Sequence, residues 1–333
     1  MSQHDTTQLP VPITSNLVGA KNISSLALWN QQYREVDKLV NRLMRFDGVK
    51  SMGMTLIGEA GTGKSHYVKK KRETLSNYSI DYGDYKTVPV LIVTAPKQST
   101  AKQIIQSMLY ELGDFSLNGT VNELKPRLIW LLKKLEVKLI VIDEIHDFLP
   151  NSGRGKPKEA LAWIKGFMDD TCIPFLFVGT ERARLIHELD KELASRIIYS
   201  ASLSSLSYGN EEFRKFDFAE MATAYGEHLP CKTKKLQFVR FENEEPVFSN
   251  LPLLDSLFVA TRGIPRALRD FFLEINVEME DDKTFNPNLS SLSEIYFRLQ
   301  SLNKNIDFNP FTNRNAVQSF IENYRGGITN DAA

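Results

Sequence analysis

The segment Gly58-Glu-Ala-Gly-Thr-Gly-Lys-Ser65 decides the fold that the sequence predicts. It matches the pattern G-x-x-x-x-G-K-[ST], in which backbone N–H groups surround a phosphate and the following helix adds positive potential at its N-terminus. Residues 52–57 have the composition of a buried strand and the residues from Lys64 onward that of a helix, as this pattern requires. A glycine-rich turn with no ligand is the alternative, and the flanking strand and helix argue against it.

This pattern assigns a role to each polar residue at its end. Lys64 reaches the β- and γ-phosphate oxygens of a nucleotide, and the hydroxyl of Ser65 binds magnesium. We therefore expect ATP and Mg2+ as cofactors. The residues expected to contact the nucleotide are Gly58, Glu59, Ala60, Gly61, Thr62, Gly63, Lys64, Ser65 and His66.

An acidic residue at the end of a neighbouring buried strand forms the second half of such a site. The run 139–144, Leu-Ile-Val-Ile-Asp-Glu, supplies it. Asp143 is expected to hold magnesium, mostly through water, and Glu144 to orient and deprotonate the attacking water. A hydrophobic run that ends in Asp-Glu is a modest signal alone, but it becomes strong beside the phosphate loop. The acidic pair favours ATP hydrolysis over nucleotide binding without hydrolysis.

Strands and helices alternate over most of the chain. Residues 88–94, 137–142 and 173–178 also read as buried strands, and amphipathic segments lie between them. This rhythm predicts an α/β fold with a parallel sheet sandwiched by helices. The alternation stops after Tyr199, where residues 213–225 and 251–280 read as a small helical lid. Residues 236–248 have the composition of a β-hairpin, and one further helix is expected near 292–302.

The pattern divides the chain into four parts. Residues 1–22 are expected to be a flexible N-terminal tail and residues 23–204 an α/β nucleotide-binding domain. Residues 205–280 are expected to form the helical lid with its hairpin insertion. Residues 281–333 complete the chain as a helix and a polar tail.

Composition narrows the function classes. The 333 residues carry 41 basic and 41 acidic side chains, so no global field favours a polyanion, although a local basic surface remains compatible. The two cysteines, Cys172 and Cys231, form no metal-binding pattern and favour a reducing compartment. No segment approaches the ~20 apolar residues that span a bilayer, and no signal pattern begins the chain. These features predict a cytoplasmic protein without a membrane partner.

Two threonines end predicted strands and are candidate site residues. Thr180 ends the fourth strand, where its hydroxyl is placed to touch the γ-phosphate or the lytic water. Thr94 ends the second strand, where a polar side chain can hold Glu144 in an inactive rotamer. Each also has a plain interpretation as a strand-terminating threonine.

Two arginines are candidates for contacting the nucleotide. Arg196 is placed to project from one subunit to the γ-phosphate of its neighbour, which would make hydrolysis depend on assembly. An ordinary surface arginine is the alternative, and Arg182 and Arg184 compete for the same role. In the lid, Arg266 lies where a closing lid can reach the nucleotide.

Two basic segments are candidates for binding DNA. Lys97 and Lys102 follow the second strand, and Arg154 lies in the flexible basic loop 151–158. In a ring of such subunits both segments would face the central channel, where basic side chains follow a phosphate backbone without reading sequence. Solvated loops are the alternative for both.

Five motifs follow one another in the order of a known family: GEAGTGKS (58–65), VIDEIH (141–146), FVGTERAR (177–184), ELASRI (192–197) and GIPRAL (263–268). With Asn-Pro-Phe at 309–311, they resemble the TniB/TnsC family of AAA+ transposition regulators over residues 23–311. Within it, the match looks close to the TnsC proteins of CRISPR-associated transposons guided by Cascade. A threonine at position 94, where AAA+ switches commonly have asparagine, departs from the pattern.

This resemblance implies a function and partners. Proteins of that family use ATP to assemble rings or filaments around double-stranded DNA. A TniQ-containing targeting complex recruits them, and they recruit and activate the transposase subunits TnsA and TnsB. The matching positions are Lys64 and Ser65 for nucleotide and magnesium, Asp143 and Glu144 for hydrolysis, Thr180 and Arg266 as sensors and Arg196 as the neighbour-facing finger.

Two other functions fit an ATPase of this clade. One is a DNA-replication initiator or helicase loader, which the absence of a recognisable winged-helix pattern disfavours. The other is a signalling ATPase without a DNA role, which the absence of an appended catalytic or repeat pattern disfavours.

Overall fold

The computed structural model of the protein describes most of the chain, and contacts between its residues divide it into two units. The described ranges are 18–26, 30–96, 100–149, 157–209, 211–230, 233–299 and 306–324. The sheet unit comprises the described residues of 27–218, 261–267 and 319–333. The helical unit comprises those of 1–26, 219–260 and 268–318.

The sheet unit is built on five parallel strands in the order β2-β3-β4-β1-β5. Their bounds are β1 Gly53–Ile57, β2 Val90–Thr94, β3 Leu139–Asp143, β4 Phe175–Gly179 and β5 Ile197–Ser202. The four strands expected from the sequence are present. The fifth strand was missed: β2 and β5 are both edge strands, but β5 alternates buried with more exposed residues, whereas β2 is an apolar run. A buried apolar run, the signal that identified the other four, is therefore absent from it.

Helices cover both faces of this sheet, because successive strand residues point to opposite faces. Ile140 and Phe175 pack into one core with helices of residues 101–111, 121–134 and 157–171. Val141 and Leu176 pack into the other core with helices of residues 31–44 and 64–76. The predicted parallel sheet sandwiched by helices is confirmed.

The helices begin at identifiable capping residues. The carboxylate of Glu123 accepts a hydrogen bond of 2.7 Å from the backbone N–H of Thr120, which completes the capping box expected from the sequence. A similar box joins Thr100 and Gln103. The helices up to the end of the sheet are α1 Val18–Ser25, α2 Gln31–Met44, α3 Lys64–Ser76, α4 Ala101–Glu111, α5 Val121–Lys134, α6 Ile145–Phe148, α7 Pro157–Thr171, α8 Ile186–Leu189 and α9 Lys191–Ala194.

The rest of the described chain is mainly helical, as expected for residues 213–225 and 251–280. Its helices are α10 Glu212–Glu227, α11 Leu251–Thr261, α12 Pro265–Asp281, α13 Leu289–Arg298 and α14 Arg314–Asn323. The strands β6 Val239–Glu242 and β7 Glu245–Phe248 pair antiparallel, so the expected hairpin is present. Its turn residues Asn243 and Glu244 both have positive φ, as a type I′ hairpin turn requires.

The C-terminal region contains more structure than expected. Only one helix was predicted there, near 292–302, and it corresponds to α13. The helix α14 was not predicted, because it is short and its surroundings are polar. In the described residues, no helix combines the length and the apolar character that crossing a membrane demands.

Candidate nucleotide-binding site

The glycine loop connects the carboxyl end of β1 to the first turn of α3, as the sequence predicts. Gly63 has φ of 100°, a left-handed conformation that side chains rarely adopt. A Cβ atom at this position would lie 2.0 Å from the hydroxyl oxygen of Tyr33. That hydroxyl donates a hydrogen bond of 2.9 Å to the carbonyl of Gly63. The loop therefore has its shape because glycine occupies this position and α2 packs against it.

Lys64 lies at the start of α3 and is buried. Its Nζ atom donates hydrogen bonds of 2.8 Å to the carbonyl oxygens of Gly58 and Glu59. Burial lowers the pKa of this ammonium group, and the neighbouring carboxylates of Glu144 and Asp143 act in the opposite direction. The lysine and the two acidic residues are thus close enough to interact electrostatically.

The other residues of the loop differ in exposure. Thr62 is buried and its hydroxyl donates to the carbonyl of Glu59 at 2.9 Å, which tightens the loop. Glu59 and Ala60 are exposed, whereas Ser65 and His66 are half-buried in the first turn of α3. The hydroxyl of Ser65 is therefore on the element that the pattern requires for a metal ligand.

The acidic pair occupies the carboxyl end of β3. The carboxylate of Asp143 accepts a hydrogen bond of 2.9 Å from the backbone N–H of Glu144. Glu144 itself has φ of 56°, in the left-handed region that non-glycine residues seldom populate. Such conformations cost free energy and cluster at functional sites. Its side chain is 42% exposed, so the carboxylate is accessible to solvent.

The ends of the neighbouring strands lie beside this pair. Thr94 is directly opposite Asp143 in the register of β2 and β3. Thr180 follows β4, and the backbone N–H of Gly58 donates to the carbonyl of the preceding Gly179 at 3.2 Å. Parallel strands bring their carboxyl ends to one edge of the sheet, and this edge collects the polar groups of the site.

Glu144 has a side-chain partner that the sequence did not identify for it. The Nδ1 atom of His146 lies 3.2 Å from Oε2 of Glu144. Thr94 is a candidate for holding this carboxylate in an inactive rotamer, and the structure places the ring of His146 beside the same carboxylate. The two-residue spacing of Glu144 and His146 in the sequence Asp143-Glu-Ile-His146 is the signal for this contact.

Arg266 lies against the glycine loop. Its backbone N–H donates a hydrogen bond of 3.1 Å to the carbonyl of Gly61. The positive charge of Arg266 contributes to lowering the pKa of Lys64. The structure therefore brings two cations, from α3 and from the start of α12, to the same loop.

Arg196 lies at the other end of the sheet. Its carbonyl accepts a hydrogen bond of 2.8 Å from the N–H of Gly53, the first residue of β1. The glycine loop begins after the last residue of β1, so roughly 13 Å of strand separates the two, at about 3.3 Å per residue. The guanidinium pairs with the carboxylate of Asp169 in α7, at 3.1 and 3.2 Å. Arg184, a competing candidate, pairs with Glu181 at 2.6 Å.

Of the residues expected to contact DNA, the structure describes only Lys102. Lys102 is exposed in the first turn of α4. Lys97 and Arg154 lie outside the described residues. Arg182, the second alternative to Arg196 as the neighbour-facing arginine, belongs to the turn after β4, at Glu181–Leu185.

The donor chemistry of the site fits magnesium. Magnesium prefers oxygen ligands and completes its shell with phosphate oxygens and water. The Asp143 carboxylate and the Ser65 hydroxyl provide such oxygens close to Lys64. Across the ranges that the structure describes, no group of three or more His, Cys, Asp or Glu side chains could hold a metal ion.

The fold and this arrangement define the chain as an AAA+ P-loop protein, in which a parallel sheet carries the phosphate loop after β1 and an Asp-Glu pair after β3. A family model described as bacterial TniB protein matches residues 26–203, more than half of the chain. The chain belongs to the TniB family.

Solved structures share this fold at low sequence identity. The Cdc6 protein of Pyrobaculum aerophilum is 16% identical with a TM-score of 0.53, over 81% of this chain and 67% of that one. The ORC2 protein of Aeropyrum pernix, in its ADP form, is 12% identical with a TM-score of 0.55, over 82% and 69%. Drosophila ORC bound to DNA is 12% identical with a TM-score of 0.52, over 89% and 69%. No curated protein matches the sequence.

Proposed function

We propose that this protein is an ATPase that assembles on double-stranded DNA when ATP is bound and links a target-selection complex to a transposase. Membership of the TniB family supports this function. The geometric observation that carries the proposal is the separation of Arg196 from the phosphate loop of its own chain. A site that lacks its finger arginine within one chain needs a second copy to complete it.

The nucleotide is bound by the loop that precedes α3. Backbone N–H groups of residues 58–63 and the N-terminus of α3 favour an anion, and Lys64 and Arg266 add two positive charges. Ser65 and Asp143 would hold magnesium, which would neutralise charge on the phosphates when bound. These residues make ATP the preferred ligand over an uncharged molecule.

Hydrolysis depends on the strand ends. Glu144 takes the proton of the attacking water as general base. The hydroxyl of Thr180 is buried and has no hydrogen-bond partner among the described residues, so it is available to the γ-phosphate or the water. Arg196 of a second copy supplies positive charge in the transition state, after it leaves Asp169.

The ATP state then controls assembly. A nucleotide that contacts two subunits adds to their interface, so ATP stabilises the oligomer and hydrolysis weakens it. On DNA, Lys97, Lys102 and Arg154 contact the phosphate backbone without sequence preference. The partners are a TniQ-containing targeting complex on one side and TnsA and TnsB on the other. A Cascade-guided transposon is the proposed setting, and the cytoplasm the proposed compartment.

The test is binding to a labelled duplex of arbitrary sequence, measured with ATP, with ADP and without nucleotide. The size of the complex is followed by mass photometry and the affinity by anisotropy. We expect cooperative assembly only with ATP, and loss of affinity when salt is raised, because phosphate contacts release counterions. Absence of duplex binding in every nucleotide state would refute the DNA-assembly function and leave only the ATPase.

A further inference from the structure

His146 occupies a defined place between two strand ends of the sheet unit. It lies in the first turn of α6, and its side chain is 18% exposed. Its Nδ1 atom accepts a hydrogen bond of 3.4 Å from the backbone N–H of Thr180 and lies 3.2 Å from Oε2 of Glu144. One ring nitrogen therefore faces both the expected general base and the strand end that carries the buried Thr180 hydroxyl.

The surrounding chain leaves a space of the right size for this ring. A Cβ atom at Gly179, the last residue of β4, would lie 3.3 Å from Nδ1 of His146 and 3.0 Å from Cγ2 of Ile145. The side chain of Ile145 is fully buried, which anchors the turn. The imidazole can therefore approach β4 closely because glycine ends that strand.

The chemistry of imidazole restricts what this nitrogen can do. When Nδ1 carries a hydrogen it donates to the Glu144 carboxylate, and when it does not it accepts from the N–H of Thr180. It cannot serve both partners at once. The shorter distance is the one to Glu144, and a hydrogen bond to a carboxylate is stronger than one between neutral groups.

We propose that His146 is a positioning residue for ATP hydrolysis: its Nδ1–H holds the Glu144 carboxylate in the orientation that activates water. The inference rests on the proposed ATPase function. The same nitrogen lies beside the backbone N–H of Thr180, so the ring touches the strand end that carries the Thr180 hydroxyl.

The experiment compares His146→Asn with His146→Leu. Asparagine places an amide N–H close to the position of Nδ1, whereas leucine keeps a similar volume without a donor. ATP turnover is measured as kcat and KM with duplex DNA present, and affinity by a fluorescent ATP analogue.

We expect H146L to lower kcat about tenfold to a hundredfold, a part of the roughly 10²–10⁴ that a positioned base contributes. H146N should recover most of that loss, and both should keep nucleotide affinity within about twofold of wild type, since Nδ1 contacts no phosphate-loop residue.

A matched comparison protects the test against misfolding. If H146L unfolds at a lower temperature than the wild type, His146→Gln serves as the variant without a donor at the Nδ1 position. Its longer side chain carries the amide past that position. Equal kcat for H146N and H146Q, or wild-type kcat for H146L, would overturn the proposal.

A second comparison separates positioning from packing. In the background of Glu144→Gln, the further change His146→Leu should leave the residual turnover unchanged, because the carboxylate to be positioned is gone. An equal loss in both backgrounds would assign His146 a packing role. Normal turnover of Glu144→Gln alone would instead refute Glu144 as the general base, which is a failure of the proposed function and not of this inference alone.

Discussion

Both units bury apolar side chains, but in their described residues only the sheet unit has a five-stranded parallel ladder. In the sheet unit, backbone ladders join five strands, and polar residues stand at the strand ends. In the helical unit, aromatic rings pack between helices: Phe311 lies 5.5 Å from Phe271 and 5.9 Å from Tyr296, measured between centroids. The buried carboxylate of Asp255 pairs with Arg314 at 2.8 Å, which attaches the first turn of α14 to α11.

We therefore expect nucleotide chemistry and folding stability to respond to different substitutions. Side chains at strand ends contribute little to the core, so their replacement should alter nucleotide chemistry and leave folding intact. Aromatic side chains of the helical unit are buried, so their replacement should lower stability and leave the phosphate site intact. Four substitutions test this contrast.

Lys64→Ala should have the largest effect. It removes a cation from the phosphate loop, where each hydrogen bond to a charged group contributes about 1.5–3 kcal/mol. Nucleotide affinity should fall at least about a hundredfold, and ATP-dependent assembly should disappear. Isothermal titration calorimetry with ATP and mass photometry on duplex DNA measure these losses.

The control for this change is Lys70→Ala on the same helix, where Lys70 pairs at the surface with Glu73. It should bind ATP as the wild type does. Equal affinities of the two variants would show that Lys64 contacts no phosphate.

Glu144→Gln should lower ATP turnover about 10²–10⁴-fold, the contribution of a positioned general base. ATP binding should persist, because the amide keeps the size of the side chain, and the oligomer should stay on DNA. A phosphate-release assay measures turnover, and DNA dissociation is followed after ATP is diluted. Glu242→Gln, in the hairpin of the helical unit, is the matched control and should keep full turnover.

Arg196→Ala should lower turnover about a thousandfold, as loss of an arginine finger does, while a single chain binds ATP with unchanged affinity. The surface pair with Asp169 contributes at most about 1 kcal/mol, so folding should persist. Mixing the Arg196→Ala and Glu144→Gln variants tests whether Arg196 acts on the neighbouring subunit. The first variant supplies an intact Glu144, and the second supplies an intact Arg196. Turnover should return in the mixture, and its absence together with weaker ATP binding would place Arg196 in its own chain's site.

Phe311→Ala should change stability without changing the chemistry. Phe311 is 5% exposed, and truncating a buried phenylalanine costs about 3–5 kcal/mol. Urea denaturation should show this loss, and ATP affinity of the folded fraction should stay at the wild-type value. Phe297→Ala, at a side chain 78% exposed on α13, should change stability by less than about 0.5 kcal/mol. Equal losses for the two variants would contradict the packing role of Phe311.

The sequence alone determined the parts of the molecule whose signals are contiguous. The glycine loop was predictable because the residues that such a phosphate-binding pattern requires are consecutive in the sequence. Four strands were predictable because each is an apolar run: three are central strands buried on both faces, and the edge strand β2 is apolar as well. The Asp143–Glu144 pair was predictable as a candidate because it directly follows one of those runs.

The tertiary structure decided which distant residues meet. The edge strand β5 is stabilised by pairing with β1 and carries no apolar run of its own. The partnership of His146 with Glu144 depends on the close approach to Gly179, and that of Arg196 with Asp169 depends on where α7 packs. Helix α14 is fixed by Asp255, far away in the chain. Local sequence specifies backbone conformation, but a contact between separated residues exists only once the sheet sets the distance between them.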